Sequence, residues 1–139
     1  MIKILLDEDA KMPTRAHSTD AGLDLYARED KLIKPFCGSA TFDTGVHIGF
    51  EPGTYGKIES KSGLNCKNGV VSCGGVIDES YTGSIVVKLY NLSQEEYYVH
   101  KGDKIAQLVI MAYHAPEMVE VDHLDDTDRG CSGFGSTGL

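Results

Sequence analysis

Gly74-Gly75-Val76-Ile77-Asp78-Glu79-Ser80-Tyr81-Thr82-Gly83 is the stretch from which this chain is best read. It sets an aspartate and a tyrosine among three glycines. Val70-Val71 precede it. Ile85-Val86-Val87-Lys88-Leu89 follow, with apolar residues at 85, 87 and 89 on one face of a strand. The stretch is therefore expected to join two strands as a hairpin. Its glycines let the backbone bend and come close to another group. Two roles compete. In one, Asp78 caps a backbone amide of an ordinary turn. In the other, main-chain groups read a flat polar ligand, Tyr81 covers it and Asp78 activates a water.

Composition narrows the field. The chain has 139 residues, enough for one domain whose core needs no staples. Sixteen glycines, no tryptophan and many short apolar runs favour strands and turns over helices. A net charge of −8 argues against duplex DNA or an anionic membrane as partner. Cys37, Cys66, Cys73 and Cys131 form no Cys-x-x-Cys pair. Free thiols in a reducing compartment are expected, with a bridge left open. The apolar run at residues 1–6 is too short for a signal peptide. No stretch approaches the roughly 20 apolar residues of a membrane span. The expectation is a soluble, cytoplasmic protein that partners neither nucleic acid nor membrane.

Strands are predicted at 2–6, 21–27, 31–35, 40–42, 46–50, 55–59, 97–99 and 105–111, with a last one at 116–122. Leu23 and Leu25 face one way and Asp24 the other, which makes Asp24 a solvated or structural acid. His47 falls on a polar face with no second His or Cys at ligand spacing, so it reads as solvated rather than metal-bound. Ser62 is expected to cap a short helix through Leu64 and Cys66. Lys61, Ser62 and Gly63 at that helix start offer an anion a positive charge, a hydroxyl and free N–H groups. A plain N-cap is the alternative. Gln107 is the one strongly polar residue of the most apolar strand, so it either braces a loop or meets a ligand.

The chain divides into a β domain at 1–128 and a glycine-rich arm at 129–139. Composition alone makes the arm flexible. Yet Arg129, Phe134, Ser136 and Thr137 among its glycines suit a tail that closes over a nucleotide. Phe134 would stack, hydroxyls and N–H groups would hold phosphate, and Arg129 would add charge. About ten short strands and one short helix predict an all-β fold, jelly-roll-like or a distorted β-barrel.

Five blocks carry a family resemblance. They are Ala21-Gly22-Leu23-Asp24-Leu25-Tyr26-Ala27, Gly56-Lys57-Ile58-Glu59-Ser60-Lys61-Ser62-Gly63-Leu64, Gly75 through Gly83, Gly102-Asp103-Lys104-Ile105-Ala106-Gln107-Leu108-Val109, and Arg129-Gly130-Cys131-Ser132-Gly133-Phe134-Gly135-Ser136-Thr137-Gly138. In this order and spacing they resemble the motifs of the trimeric dUTP pyrophosphatases (dUTPases), over nearly the whole chain. Lys61 stands where that family usually has Arg, which keeps the charge and loses the planar two-pronged grip. Glu59 stands where many relatives have a small or apolar residue. Cys131-Ser132 replaces a spacing that often includes another Gly.

The resemblance implies hydrolysis of dUTP to dUMP and pyrophosphate with Mg²⁺, in a homotrimer whose active sites are shared between subunits. It implies that Asp78 is catalytic, directing a water at the α-phosphorus. Gly75, Val76 and Ile77 would read uracil with their main chain, and Tyr81 would exclude a ribose hydroxyl. Lys61, Ser62, Gly63 and Gln107 of another chain would hold phosphates. Arg129, Phe134, Gly135, Ser136 and Thr137 of the third would close the site. The metal would have no direct protein ligand, with Asp24 a candidate through a water. Two rivals stand beside this reading: a dCTP deaminase of the same fold superfamily, and a non-catalytic regulatory binding module. Asp78 with Tyr81 suits water attack on phosphorus better than deamination.

Overall fold

The computed structural model describes residues 1–131. Among them are eleven strands and one short helix. The strands are β1 (Lys3–Leu6), β2 (Gly22–Tyr26), β3 (Lys31–Ile33), β4 (Gly38–Asp43), β5 (Val46–Gly49) and β6 (Thr54–Glu59). After α1 (Ser62–Asn68) come β7 (Val70–Cys73), β8 (Val76–Ile77), β9 (Val86–Asn91), β10 (Tyr97–Val99) and β11 (Lys104–Ala112). Two main sheets carry the fold, ordered β2-β11-β6-β8 and β4-β9-β7. Two small ribbons, β1-β5 and β10-β3, complete it. All pairings are antiparallel. The sheets do not close, so the jelly-roll-like alternative describes the fold and the closed barrel does not.

Alternation explains which faces meet. On β9, Val87, Leu89 and Asn91 are buried while Val86 and Lys88 are exposed, and Ile85 just before the strand is also buried. Leu23, Leu25, Ile58, Ala106 and Leu108 point inward from the four-stranded sheet. Phe42, Val70, Val87 and Leu89 point inward from the three-stranded one. Together they form one core. A core phenylalanine such as Phe42, fully buried, is worth about 3–5 kcal/mol against alanine. Asn91 is buried within this apolar set, yet its amide is satisfied. Nδ2 donates to the carbonyls of Ile33 at 3.1 Å and Glu95 at 2.7 Å, and Oδ1 accepts from the Ser93 N–H at 3.0 Å.

The expected hairpin is present, but it does more than turn. β7 and β9 pair from Val70 opposite Asn91 to Cys73 opposite Lys88. Between them the chain leaves this sheet and adds β8 to the edge of the other, Val76 opposite Lys57 and Ile77 opposite Gly56. Three expectations fail. Residues 116–122 form no strand, and Met118 and Val119 are exposed. Lys61, not Ser62, takes the N-cap position of α1, and it makes no side-chain cap bond. His47 is not simply solvated: Nδ1 donates to the Thr82 carbonyl at 2.8 Å and Nε2 lies 3.1 Å from Asp7 Oδ1.

Candidate active site

The glycine-bracketed stretch is held against β6. The Ile58 N–H donates to the Gly75 carbonyl at 2.8 Å. Gly75 has φ +142°, and a Cβ there would lie 3.0 Å from both Cβ and O of Ile58. Only glycine fits without displacement. β8 is the edge strand of its sheet, so one side of the backbone at 76–77 faces no other strand among the described residues. A turn follows, closed by the Tyr81 N–H donating to the Asp78 carbonyl at 3.0 Å. The Tyr81 hydroxyl donates to the Ser84 carbonyl at 2.9 Å, and the residue is 44% exposed. Asp78 is exposed, and its carboxylate has no hydrogen-bond partner among the described residues. It borders a cleft of about 620 Å³ that Tyr55, Val76, Glu79, Ser80 and Tyr113 also line.

Glu79 braces this end, a role the sequence reading missed. Its Oε2 accepts from the Gly53 N–H at 2.7 Å and from the Tyr113 hydroxyl at 2.8 Å. Tyr113 in turn donates its N–H to the Gly53 carbonyl at 3.0 Å. The bond to Glu79 holds the Tyr113 phenol above its usual pKa. An acid beside a catalytic candidate draws no attention in a linear sequence, because its partners lie 26 and 34 residues away.

A second group gathers at the other end of β6. Asp24, Gln107 and Glu59 stand side by side in register across β2, β11 and β6. Asp24 was expected on a polar face, but its side chain is only 8% exposed. Lys61 Nζ contacts one of its oxygens, and Lys104 Nζ contacts the other at 2.6 Å. Burial works to raise the Asp24 pKa. Hydrogen bonds from Lys104 and then Lys61 outweigh it, so the carboxyl sits below its usual value. Lys104 belongs to the fourth block, where the sequence alone points to no role for it. The signal that would find it is the bulge between Lys104 and Ala106, which is a property of the β2–β11 pairing. Gln107 braces: Nε2 donates to the Ser60 carbonyl at 3.1 Å, and its amide lies against Gly22, where a Cβ would collide with it. Ser62 and Gly63 open α1, directly after Lys61.

One chain thus brings Lys61, Ser62, Gly63, Asp24 and Gln107 together. It separately brings Gly75, Val76, Ile77, Asp78 and Tyr81 together. It does not unite the two groups. Ile77 pairs with Gly56, and Lys61 follows five residues later, which at about 3.3 Å per residue separates Asp78 from Lys61 by on the order of 15 Å. Arg129 is exposed at the end of the described chain. Phe134, Gly135, Ser136 and Thr137 lie outside the described residues.

No group of three or more metal-ligating side chains exists among the described residues. Asp24 already has both oxygens engaged by ammonium groups.

The open, two-sheet topology places the protein in the jelly-roll-like all-β class. Residues 8–138 match the dUTPase family model. The chain is 44% identical over 133 residues to the human mitochondrial deoxyuridine 5′-triphosphate nucleotidohydrolase, covering 96% of this chain and 52% of that one. It is 41% identical over 140 residues to the Saccharomyces cerevisiae enzyme of that name, covering 99% and 95%. In structure it resembles the Staphylococcus bacteriophage 80alpha dUTPase with dUPNHPP, at TM-score 0.92 and 28% identity, covering 100% of this chain and 99% of that one. A mutant dUTPase of Staphylococcus aureus phage phi11, solved for the coordination of a structural Mg(II) ion, matches at TM-score 0.82 and 28% identity, covering 91% and 99%. The chain belongs to the dUTPase family.

Proposed function

We propose that this protein hydrolyses dUTP to dUMP and pyrophosphate, and that Asp78 orients the water that attacks the α-phosphorus. Family membership supports the reaction. The observation that carries the residue assignment is the exposed carboxylate of Asp78, without a hydrogen-bond partner among the described residues and one turn away from half-exposed Tyr81. A hydrogen bond from a water to that carboxylate fixes the nucleophile and raises its basicity. The backbone edge at 75–77, on the side away from β6, supplies donors and acceptors for a pyrimidine. Uracil and cytosine differ in that pattern at two atoms, and each mismatched buried group costs about 1–3 kcal/mol. Tyr81 then forms the wall against the sugar.

Lys61, Ser62, Gly63 and Gln107 are assigned to the phosphates. Because they sit far from Asp78 within one chain, the α-phosphoryl and its neighbours cannot meet both groups of the same copy. That separation supports a site composed from several copies, and a homotrimer with shared sites is the assembly we assign. Arg129, Phe134, Gly135, Ser136 and Thr137 are assigned to its closure. Mg²⁺ bound to the triphosphate would neutralise phosphate charge, and we assign Asp24 to one of its waters once Lys61 has turned to the phosphates.

Asp78→Asn tests this. Pyrophosphate release from dUTP with Mg²⁺ should fall by at least about a thousandfold, while a non-cleavable imido analogue binds within about tenfold of the parent. Near-parental turnover would remove Asp78 from the chemistry. Sedimentation of the same sample should report three chains per particle.

A further inference from the structure

Two lysines on one nearly buried carboxylate are more than that carboxylate needs. Lys61 meets one oxygen of Asp24 and Lys104 meets the other at 2.6 Å, so neither depends on the other for its contact. Asp24 is too buried for water to replace a counter-ion. Whatever enters the site, one cation must stay. The cluster carries one positive charge in excess, and that excess is what an anion can draw away.

The two lysines are not equivalent. Lys104 opens β11 and is paired with Tyr26 in the β2–β11 ladder. Lys61 sits on the connection after β6, outside any ladder, in extended conformation with φ −74° and ψ 121°. Its side chain is the less exposed of the two, 27% against 45%, so it is the one drawn inward over Asp24. The backbone just before it is anchored, because Gln107 Nε2 holds the Ser60 carbonyl at 3.1 Å. Lys61 can therefore change partner by side-chain rotation alone.

We infer that Lys104 is a positioning residue for substrate: it is the standing counter-ion of Asp24, and it frees Lys61 to leave that carboxylate for the phosphates of dUTP. This rests on the assignment of Lys61 to the phosphates. Without Lys104, Lys61 would be the sole partner of Asp24, and moving it would strand a buried charge.

The test compares four variants by the Kd of an imido analogue of dUTP and by KM and kcat for dUTP. Lys104→Met should raise Kd and KM about tenfold, equivalent to about 1.4 kcal/mol, with kcat within about twofold of the parent. Lys104→Arg should restore both. Lys61→Met should weaken the analogue as well, and the double variant Asp24→Asn/Lys104→Met should bind the Mg²⁺-free analogue more tightly than Lys104→Met alone, since Lys61 then has no buried charge to hold. Unchanged affinity in Lys104→Met beside a weakened Lys61→Met overturns the proposal. No recovery in the double variant also overturns it, because Lys104 would then touch phosphate itself. A joint fall of kcat and Tm in Lys104→Met marks a merely structural role and overturns it too. Unchanged affinity in Lys61→Met defeats the phosphate assignment instead. If Lys104→Met fails to fold, Lys104→Gln carries the same comparison.

Discussion

The N–H of Tyr81 donates to the carbonyl of Asp78 at 3.0 Å, so the acid and the aromatic ring are the two ends of one turn. Their separation is set by the backbone, not by side-chain packing. The ring is in turn fixed by its hydroxyl on the Ser84 carbonyl at 2.9 Å. Tyr81→Ala should admit a ribose, raising the UTP-to-dUTP ratio of kcat/KM by about tenfold or more, the range of about 1–3 kcal/mol set by one misplaced polar group. Tyr81→Phe keeps the wall and should keep most of the discrimination. Competition assays with the two nucleotides measure both.

Glu79 is the next test. Glu79→Ala leaves the Gly53 N–H and the Tyr113 hydroxyl without their acceptor. Both groups are near solvent, so a stability loss of only about 1 kcal/mol is expected by thermal melting. Turnover should fall more than stability suggests, several-fold or about 1 kcal/mol in barrier, because the residue next to Asp78 loses its anchor. Tyr113→Phe removes one bond of the pair and should have the smaller effect. Equal kcat in Glu79→Ala and the parent would detach the brace from the chemistry.

Gly74 and Gly75 both have positive φ, +80° and +142°, but their surroundings differ. A Cβ at Gly74 meets nothing within 4 Å, whereas one at Gly75 presses on Ile58. Gly74→Ala should therefore cost only backbone strain, about 1 kcal/mol. Gly75→Ala should cost about 2–3 kcal/mol and raise KM for dUTP, since β8 must shift off β6. Chemical denaturation orders the two.

His47 gives a pH signature. The Thr82 carbonyl, opposed by desolvation and aided by Asp7, holds its pKa above the usual value. A raised folded pKa means that the charged form stabilises the fold at low pH. That contribution is complete below the unfolded value near 6.5 and is lost as pH rises through the folded value. The Tm deficit of His47→Gln should be wider at about pH 5.5 than at about pH 8.5. A deficit independent of pH would mean that His47 acts only as a neutral donor.

Much was legible along the chain. Alternation at 85, 87 and 89 marked a strand, and Ile85, Val87 and Leu89 are indeed buried, because a period of two forces one face inward. The spacing of the five blocks named the family, since motifs near in sequence share a turn or a strand end. Local chemistry also nominated Asp78 and Lys61 without any structure. Folding alone revealed three further facts: Lys104 beside Asp24, Glu79 on Tyr113, and the two candidate groups at opposite ends of β6. The first two are contacts between residues 80 and 34 positions apart. They depend on strand register and on a bulge, and register is chosen by the packing of the whole core rather than by any short run of residues.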